Sequence, residues 1–147
     1  MRNKILILIV FMFINLLTFT QTSYEKTILT LVNKERIRHG ISPLKLNKKL
    51  NKIALNKSND MAKYNYFSHT SPNLGSPFDQ MKKNKIHYII AGENIAKGQN
   101  TPEYVFKMWM ESKGHRKNIL NPRFDEMGIG KDTFNKNIWT QVFVGQE

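Results

Sequence analysis

Hydrophobic positions recur every three to four residues through the first two thirds of the chain, and the period changes in the last third. Tyr24, Ile28, Leu31 and Val32 share one helical face, which predicts a helix from Tyr24 to His39 with Gly40 as its C-terminal cap. Ser42-Pro43 breaks the pattern, and Leu44 and Leu46 flank Lys45 in a short extended piece. Asn47 is a suitable N-cap for a second helix running to about Tyr64, with Leu50, Ile53, Ala54 and Met61 as its buried stripe. Residues 66–72 read as an irregular loop. Ser76 and Pro77 open a short third helix through Met81. Thr101, Pro102 and Glu103 supply the start signals of a fourth. Val105, Met108, Trp109 and Ser112 share a face of it, and Gly114 ends or bends it just before His115. Met127 and Ile129, then Ile138, Trp139, Val142, Phe143 and Val144, form two strand-like runs around a turn near Asp132 to Lys136. Helices followed by strands give an α+β domain with its sheet packed between helices. Trp109, Trp139 and Phe143 belong to its core, and Asn94, Thr140 and Gln141 read as scaffold hydrogen-bonders.

The first residues change this picture. Arg2 and Lys4 precede an apolar run from Ile5 to Leu17, the layout of a secretory signal peptide. The run is shorter than the ~20 apolar residues that span a bilayer. The candidate cleavage sites are Thr18-Phe19-Thr20 and Thr20-Gln21-Thr22; cleavage after the second would leave residues 23–147 as one domain, with residues 1–22 as the leader, and an uncleaved N-terminal anchor is the alternative. Contact with the membrane is otherwise expected to be transient. The chain has 147 residues and no cysteine, which excludes a disulfide framework, lipid attachment at cysteine and a thiolate nucleophile.

Lys and Arg number 23 against 11 Asp and Glu, a formal charge of +12. The cations are scattered, and export argues against nucleic acid as the partner. An anionic cell-envelope component is one reading of this excess; a solvated lysine-rich surface is the other. A monomer is expected.

The titratable residues near neutrality are few. A neutral imidazole can ligate Zn2+ or another divalent metal, or pass a proton, and a carboxylate can orient it. His69 and His115 with a carboxylate and water would make an open zinc site, but their spacing brings them together only through the fold. Each residue also has a plainer role. His69 could be a hydrogen-bonded loop histidine, Glu93 could accept backbone N–H bonds at a turn, and His115 could bond the end of the preceding helix. Glu111, four residues before His115, could form a surface pair with it.

Four segments occur in order: Phe67-Ser68-His69-Thr70, Gly92-Glu93-Asn94-Ile95, Trp109 to Leu120 with Gly114-His115-Arg116 inside it, and Trp139-Thr140-Gln141-Val142-Phe143. Asn121-Pro122-Arg123-Phe124 and Met127-Gly128-Ile129-Gly130 lie between the last two. Together they resemble the bacterial, cysteine-free branch of the CAP (SCP-like) superfamily over residues 24–145. The resemblance implies a three-layer α-β-α sandwich with a central antiparallel sheet and a surface cleft. In many members the cleft floor holds two His and two Glu. His69 corresponds to the first His and Glu93 to the first Glu. The second Glu falls at Ser112, beside Glu111; the second His falls near Ile138, whereas this chain offers His115. The candidate cleft residues are therefore His69, Glu93, His115, Glu111 and Ser112, with His69 and His115 as candidate metal ligands.

Three functions follow. One is a secreted, non-catalytic binding module for a small, lipid-like or cell-wall ligand, in keeping with the extracellular binding roles of CAP relatives. Another is an extracellular hydrolase, metal-dependent or not, using His69, Glu93 and His115. The chain lacks Gly-x-Ser-x-Gly and His-Glu-x-x-His, which weighs against it. The third is an interaction protein acting through its basic surface.

Overall fold

The structure, a computed structural model, describes residues 24–146, and the leader expected over residues 1–22 lies outside them. Helix α1 covers residues 24–38, and Gly40 follows at φ +70, a conformation that glycine adopts without steric cost. Strand β1 is only Lys45–Leu46. Asn47 ends it and caps α2 (Lys48–Tyr64), accepting from the backbone N–H groups of Lys49 and Leu50. Helix α3 (Pro77–Lys83) begins with a reciprocal capping box between Ser76 and Asp79. Strand β2 (Ile90–Lys97) follows. Helix α4 (Pro102–Glu111) starts at the Thr101 cap. It breaks at Ser112, whose extended backbone separates it from α5 (Lys113–Ile119). The break falls two residues before Gly114, which sits inside α5. Strands β3 (Glu126–Lys131) and β4 (Ile138–Gly145) complete the chain. Between them Asp132 accepts from the N–H groups of Phe134, Lys136 and Ile138, closing the turn.

The strand order is β1-β3-β4-β2. β4 runs antiparallel to both neighbours, with Glu93 opposite Val142 on one side and Gly128 opposite Val142 on the other. β1 pairs parallel to β3, so the sheet is mixed, not purely antiparallel. The cause is local. The chain leaving α1 passes the β3 edge in the same direction as β3, and Asn47 starts α2 after two paired residues.

Every residue of β4 is buried, as expected of a strand covered on both faces. On one face Trp139 and Phe143 join Ile28 and Val32 of α1, Val105 and Trp109 of α4, and Ile119 of α5. On the other, Val142 and Val144 meet Leu50, Ile53 and Ala54 of α2 and Met81 of α3. This is the α-β-α sandwich. α2 lies directly on the β3 backbone. A Cβ on Gly128 would stand 2.2 Å from the Leu50 carbonyl carbon, and one on Gly130 would stand 2.2 Å from the Leu55 nitrogen. Ser58 completes that contact, its hydroxyl lying 3.1 Å from the Gly130 carbonyl oxygen and 2.8 Å from Thr140 Oγ1.

Candidate functional site

Glu93 sits on β2, an edge strand, and its side chain is only 4% exposed. Residues 65–76, which join α2 to α3, bring His69 over it. The His69 Nδ1 lies 2.8 Å from Glu93 Oε1, while the imidazole itself is 57% exposed. When Nδ1 carries the proton shared with this carboxylate, Nε2 is left as an acceptor facing outward. Burial pushes the Glu93 carboxyl above its ordinary pKa, and the His69 bond and the Lys57 ammonium only partly offset that rise.

The His69 loop is tied down from α2. Lys57, 4% exposed, donates from Nζ to the His69 carbonyl at 2.8 Å and lies 5.3 Å from the Tyr66 ring centre. Burial holds Lys57 below its usual pKa, against the attraction of Glu93 and Asp60. One turn on, Asp60 accepts from Ser71 Oγ at 2.6 Å, from Asn73 Nδ2 at 3.1 Å and from the Tyr66 hydroxyl. Burial would raise Asp60, but these bonds and Lys57 outweigh it and hold the carboxyl low. Tyr66 is pushed up to about 12 by burial and by its bond to Asp60. Charge-assisted bonds of this kind are the strong ones, so the loop is held by a buried network although its histidine is exposed.

His115 reaches the neighbourhood from α5. It is half-buried, and burial first, then the charge of His69, lowers its pKa. Side-chain amides fix α5 against the sheet. Asn118 donates to the Glu93 carbonyl at 3.2 Å and to Asn94 Oδ1 at 2.8 Å. Asn94, fully buried, donates to the His115 carbonyl and to Gln141 Oε1. Asn94, Thr140 and Gln141 thus do the scaffold work expected of them. Arg116 spans the elbow by donating to the Met110 carbonyl.

His69 and Glu93 are therefore in direct contact, and α5 brings His115 to the same edge, close enough for the His69 charge to act on it. Glu111 is not brought there: its exposed carboxylate lies 3.9 Å from Lys107 Nζ, one helical turn back. Ser112 forms the α4–α5 elbow and makes no side-chain capping bond. As a zinc site the set is incomplete. Among the described residues no three His, Asp or Glu side chains converge as a metal cage. Glu93 is engaged by His69 and sits within the field of an ammonium. The residues present do not fit a three-ligand zinc centre.

Lys57, Asp60, Tyr66 and Asn118 escaped sequence reasoning. For Lys57 a signal existed, since it follows Ile53 by four residues on the apolar stripe of α2. A charge at such a position is buried with a partner.

The chain matches the profile described as CAP, cysteine-rich secretory protein family, over residues 29–143. The uncharacterized protein YkwD of Bacillus subtilis is 54% identical over 125 residues, covering 85% of this chain and 48% of that protein. An extracellular protein containing an SCP domain from Bacillus anthracis superposes with a TM-score of 0.80 at 34% identity, covering 86% of this chain and 41% of its own. An outer surface protein of Borrelia burgdorferi gives a TM-score of 0.74 at 20% identity over 83% of this chain and 92% of its own, a likeness of fold alone. The chain spans less than half the length of the two Bacillus proteins. Profile, relatives and three-layer architecture agree, and the chain belongs to the CAP family.

Proposed function

We propose that this chain works outside the cell as a non-catalytic binding module, taking a small, lipid-like or cell-wall ligand at the His69, Glu93 and His115 site. The observation that carries this reading is the 2.8 Å contact between an exposed imidazole and a nearly buried carboxylate. It holds one polar edge in a fixed orientation toward solvent, which is what ligand orientation in a shallow site requires. Ser68 and Ser112 make no hydrogen bond to an imidazole among the described residues: the Ser68 hydroxyl accepts from the Thr70 N–H, and Ser112 caps no N–H. That favours recognition over nucleophilic turnover. The extracellular placement draws on the apolar run expected as a leader and on the Bacillus anthracis relative described as an extracellular protein. Among the described residues no helix is long and apolar enough to cross a membrane.

The same pair favours a second reading, because a carboxylate-oriented imidazole is also the geometry of a general base. One experiment separates the two. The purified chain and its Glu93→Gln variant are titrated calorimetrically with solubilised peptidoglycan and with envelope lipid extract, and the supernatants are assayed for released fragments. Binding that weakens tenfold or more in the variant, with no fragments from either protein, is the expected result. Fragments released by the wild type alone would transfer the site to the hydrolase reading, and equal binding by both proteins would remove the site from function.

A further inference from the structure

A second feature lies where α3 ends and the chain turns into β2. A groove of about 480 Å3 is lined by Lys49, Lys85, His87, Tyr88 and Ile89. A second groove of about 440 Å3 shares Lys85, His87 and Tyr88 and adds Lys82. No acidic side chain among the described residues lines either groove. Neither Lys49 nor Lys85 has a side-chain partner among the described residues, and the carboxylates nearest the groove, Glu126 and Asp125, are bonded to its lining residues Asn47 and Gln146. The lining is mixed, and Tyr88 and Ile89 give it its apolar and aromatic part. Ile89 is 66% exposed, and the Tyr88 ring packs against that of Phe78 at 6.3 Å between centres.

The backbone adds an independent observation. Lys85 has φ +55, just past the Asn84 cap of α3. Its N–H bonds to the Lys82 carbonyl, and the Ile86 N–H bonds to that of Met81, so the left-handed residue closes the helix end. Glycine or asparagine suits that position; a lysine there costs stability through its Cβ. A cationic residue held in a conformation that glycine would relieve points to a function for its side chain.

We propose that this groove docks an extended polyanion, a phosphodiester-linked polyol or sugar chain, whose phosphates meet Lys49, Lys82 and Lys85 and whose carbon skeleton lies on Tyr88 and Ile89. Charge complementarity in a concave setting selects this occupant. The chain carries a formal +12, and here the cations wall a trough. The groove uses none of the His69, Glu93 and His115 machinery. Only the choice of an envelope polymer rests on the extracellular reading above.

The test uses fluorescently labelled poly(glycerol phosphate) as the probe and the purified chain as the protein, so its outcome does not depend on where the chain works. Affinity is measured by anisotropy across a salt series. Wild-type binding should fall steeply with salt. Lys49→Gln/Lys85→Gln should weaken it at least tenfold and lower the log–log salt slope by about two, one for each phosphate left without its lysine. The control is Lys113→Gln/Lys117→Gln, which removes the same charge from another basic groove, lined also by Arg116 and Leu120; it should cost under threefold. Equal losses in the two variants would reduce the effect to net charge and overturn the site. So would tighter binding to phosphatidylglycerol vesicles than to the polymer, which would assign the surface to a bilayer. Lys85→Gly supplies a second readout: binding should weaken while the Tm rises, because glycine relieves the left-handed backbone. Weaker binding with an unchanged or lower Tm would show that the lysine is not held there against its backbone preference.

Discussion

Replacing Arg36 by Met is expected to remove about 2–6 kcal/mol of stability, the cost of two buried carbonyls left without a donor. The side chain is fully buried in α1 and distributes its donors over four backbone carbonyls. Nε donates to Ser42 at 2.8 Å, Nη1 to Ile119 at 2.9 Å and to Asn121 at 2.8 Å, and Nη2 to Phe124 at 3.1 Å. Methionine matches the stem and donates nothing. Two effects then compete. Losing a buried cation recovers solvation, and burial does hold the Arg36 pKa down; swapping buried charges for apolar groups is often neutral when the partners leave as well. Here the partners stay. The Ile119 and Phe124 bonds are buried, and each orphaned acceptor costs about 1–3 kcal/mol. The Ser42 and Asn121 carbonyls are nearer solvent and can recover water. The loss is large against the ~5–15 kcal/mol of a whole domain. Urea unfolding followed by circular dichroism and by the fluorescence of the buried Trp109 and Trp139 measures it, and an unchanged m confirms that only stability moved. Arg36→Lys should fall between the two, since one ammonium cannot span the fork. If Arg36→Met unfolds within about 1 kcal/mol of wild type with the same m, the orphaned-carbonyl reasoning is wrong. The consequence reaches the site, because Ile119 ends the helix that carries His115 and Asn118.

Gly130→Ala would place a Cβ 2.2 Å from the Leu55 nitrogen, so α2 must lift from the sheet, and a loss of about 2 kcal/mol or more is expected by thermal melting. Gly114→Ala, with nothing within 4 Å of the new Cβ in α5, should instead stabilise by up to about 1 kcal/mol. The acid dependence divides by sign. Asp60 is held below the ordinary carboxylate pKa, so its contribution is present above the unfolded value of about 3.9 and is lost as pH falls through the folded one. Asp60→Asn should therefore flatten the acid limb of a Tm-against-pH curve. Glu93 is raised, so its contribution is present below about pH 4.3 and is lost as pH rises through its folded value. Glu93→Gln should melt higher than wild type at pH 7 and level with it at about pH 4.

Much of the framework was legible because its signals are local. Asn47, Ser76 and Thr101 cap the helices that their sequence context announces, and Gly40 follows α1 in the left-handed region. Strands β3 and β4 follow from two apolar runs on either side of the Asp132 turn. β2 was not legible as a strand. Its middle reads Gly92-Glu93-Asn94, and its neighbours on β4 lie almost fifty residues away. The break at Ser112 was displaced toward Gly114 because glycine is the commoner helix breaker, whereas packing of α5 on the sheet sets the real boundary. His69, Glu93 and His115 could be named from a family pattern. Their contact could not, because it depends on Lys57 and Asp60 holding a loop from a helix whose sequence advertises only its apolar stripe.

The position of the site follows from the order of the strands. β4 is central, and its polar residues can serve only as internal anchors: Gln141 accepts from Asn94, and Thr140 accepts from Ser58. β2 is at an edge, where one row of backbone groups lacks a strand partner. Asn118 occupies that row by donating to the Glu93 carbonyl, so α5 covers the edge and delivers His115 to it in one step. A loop then has only to reach over the same edge for His69 to meet Glu93. The core fixes the carboxylate, and the elements around the edge supply the imidazoles. Changes in the 65–76 loop or at the α4–α5 elbow can therefore retune the ligand without repacking the sheet, provided that Lys57 and Asp60 keep their hold.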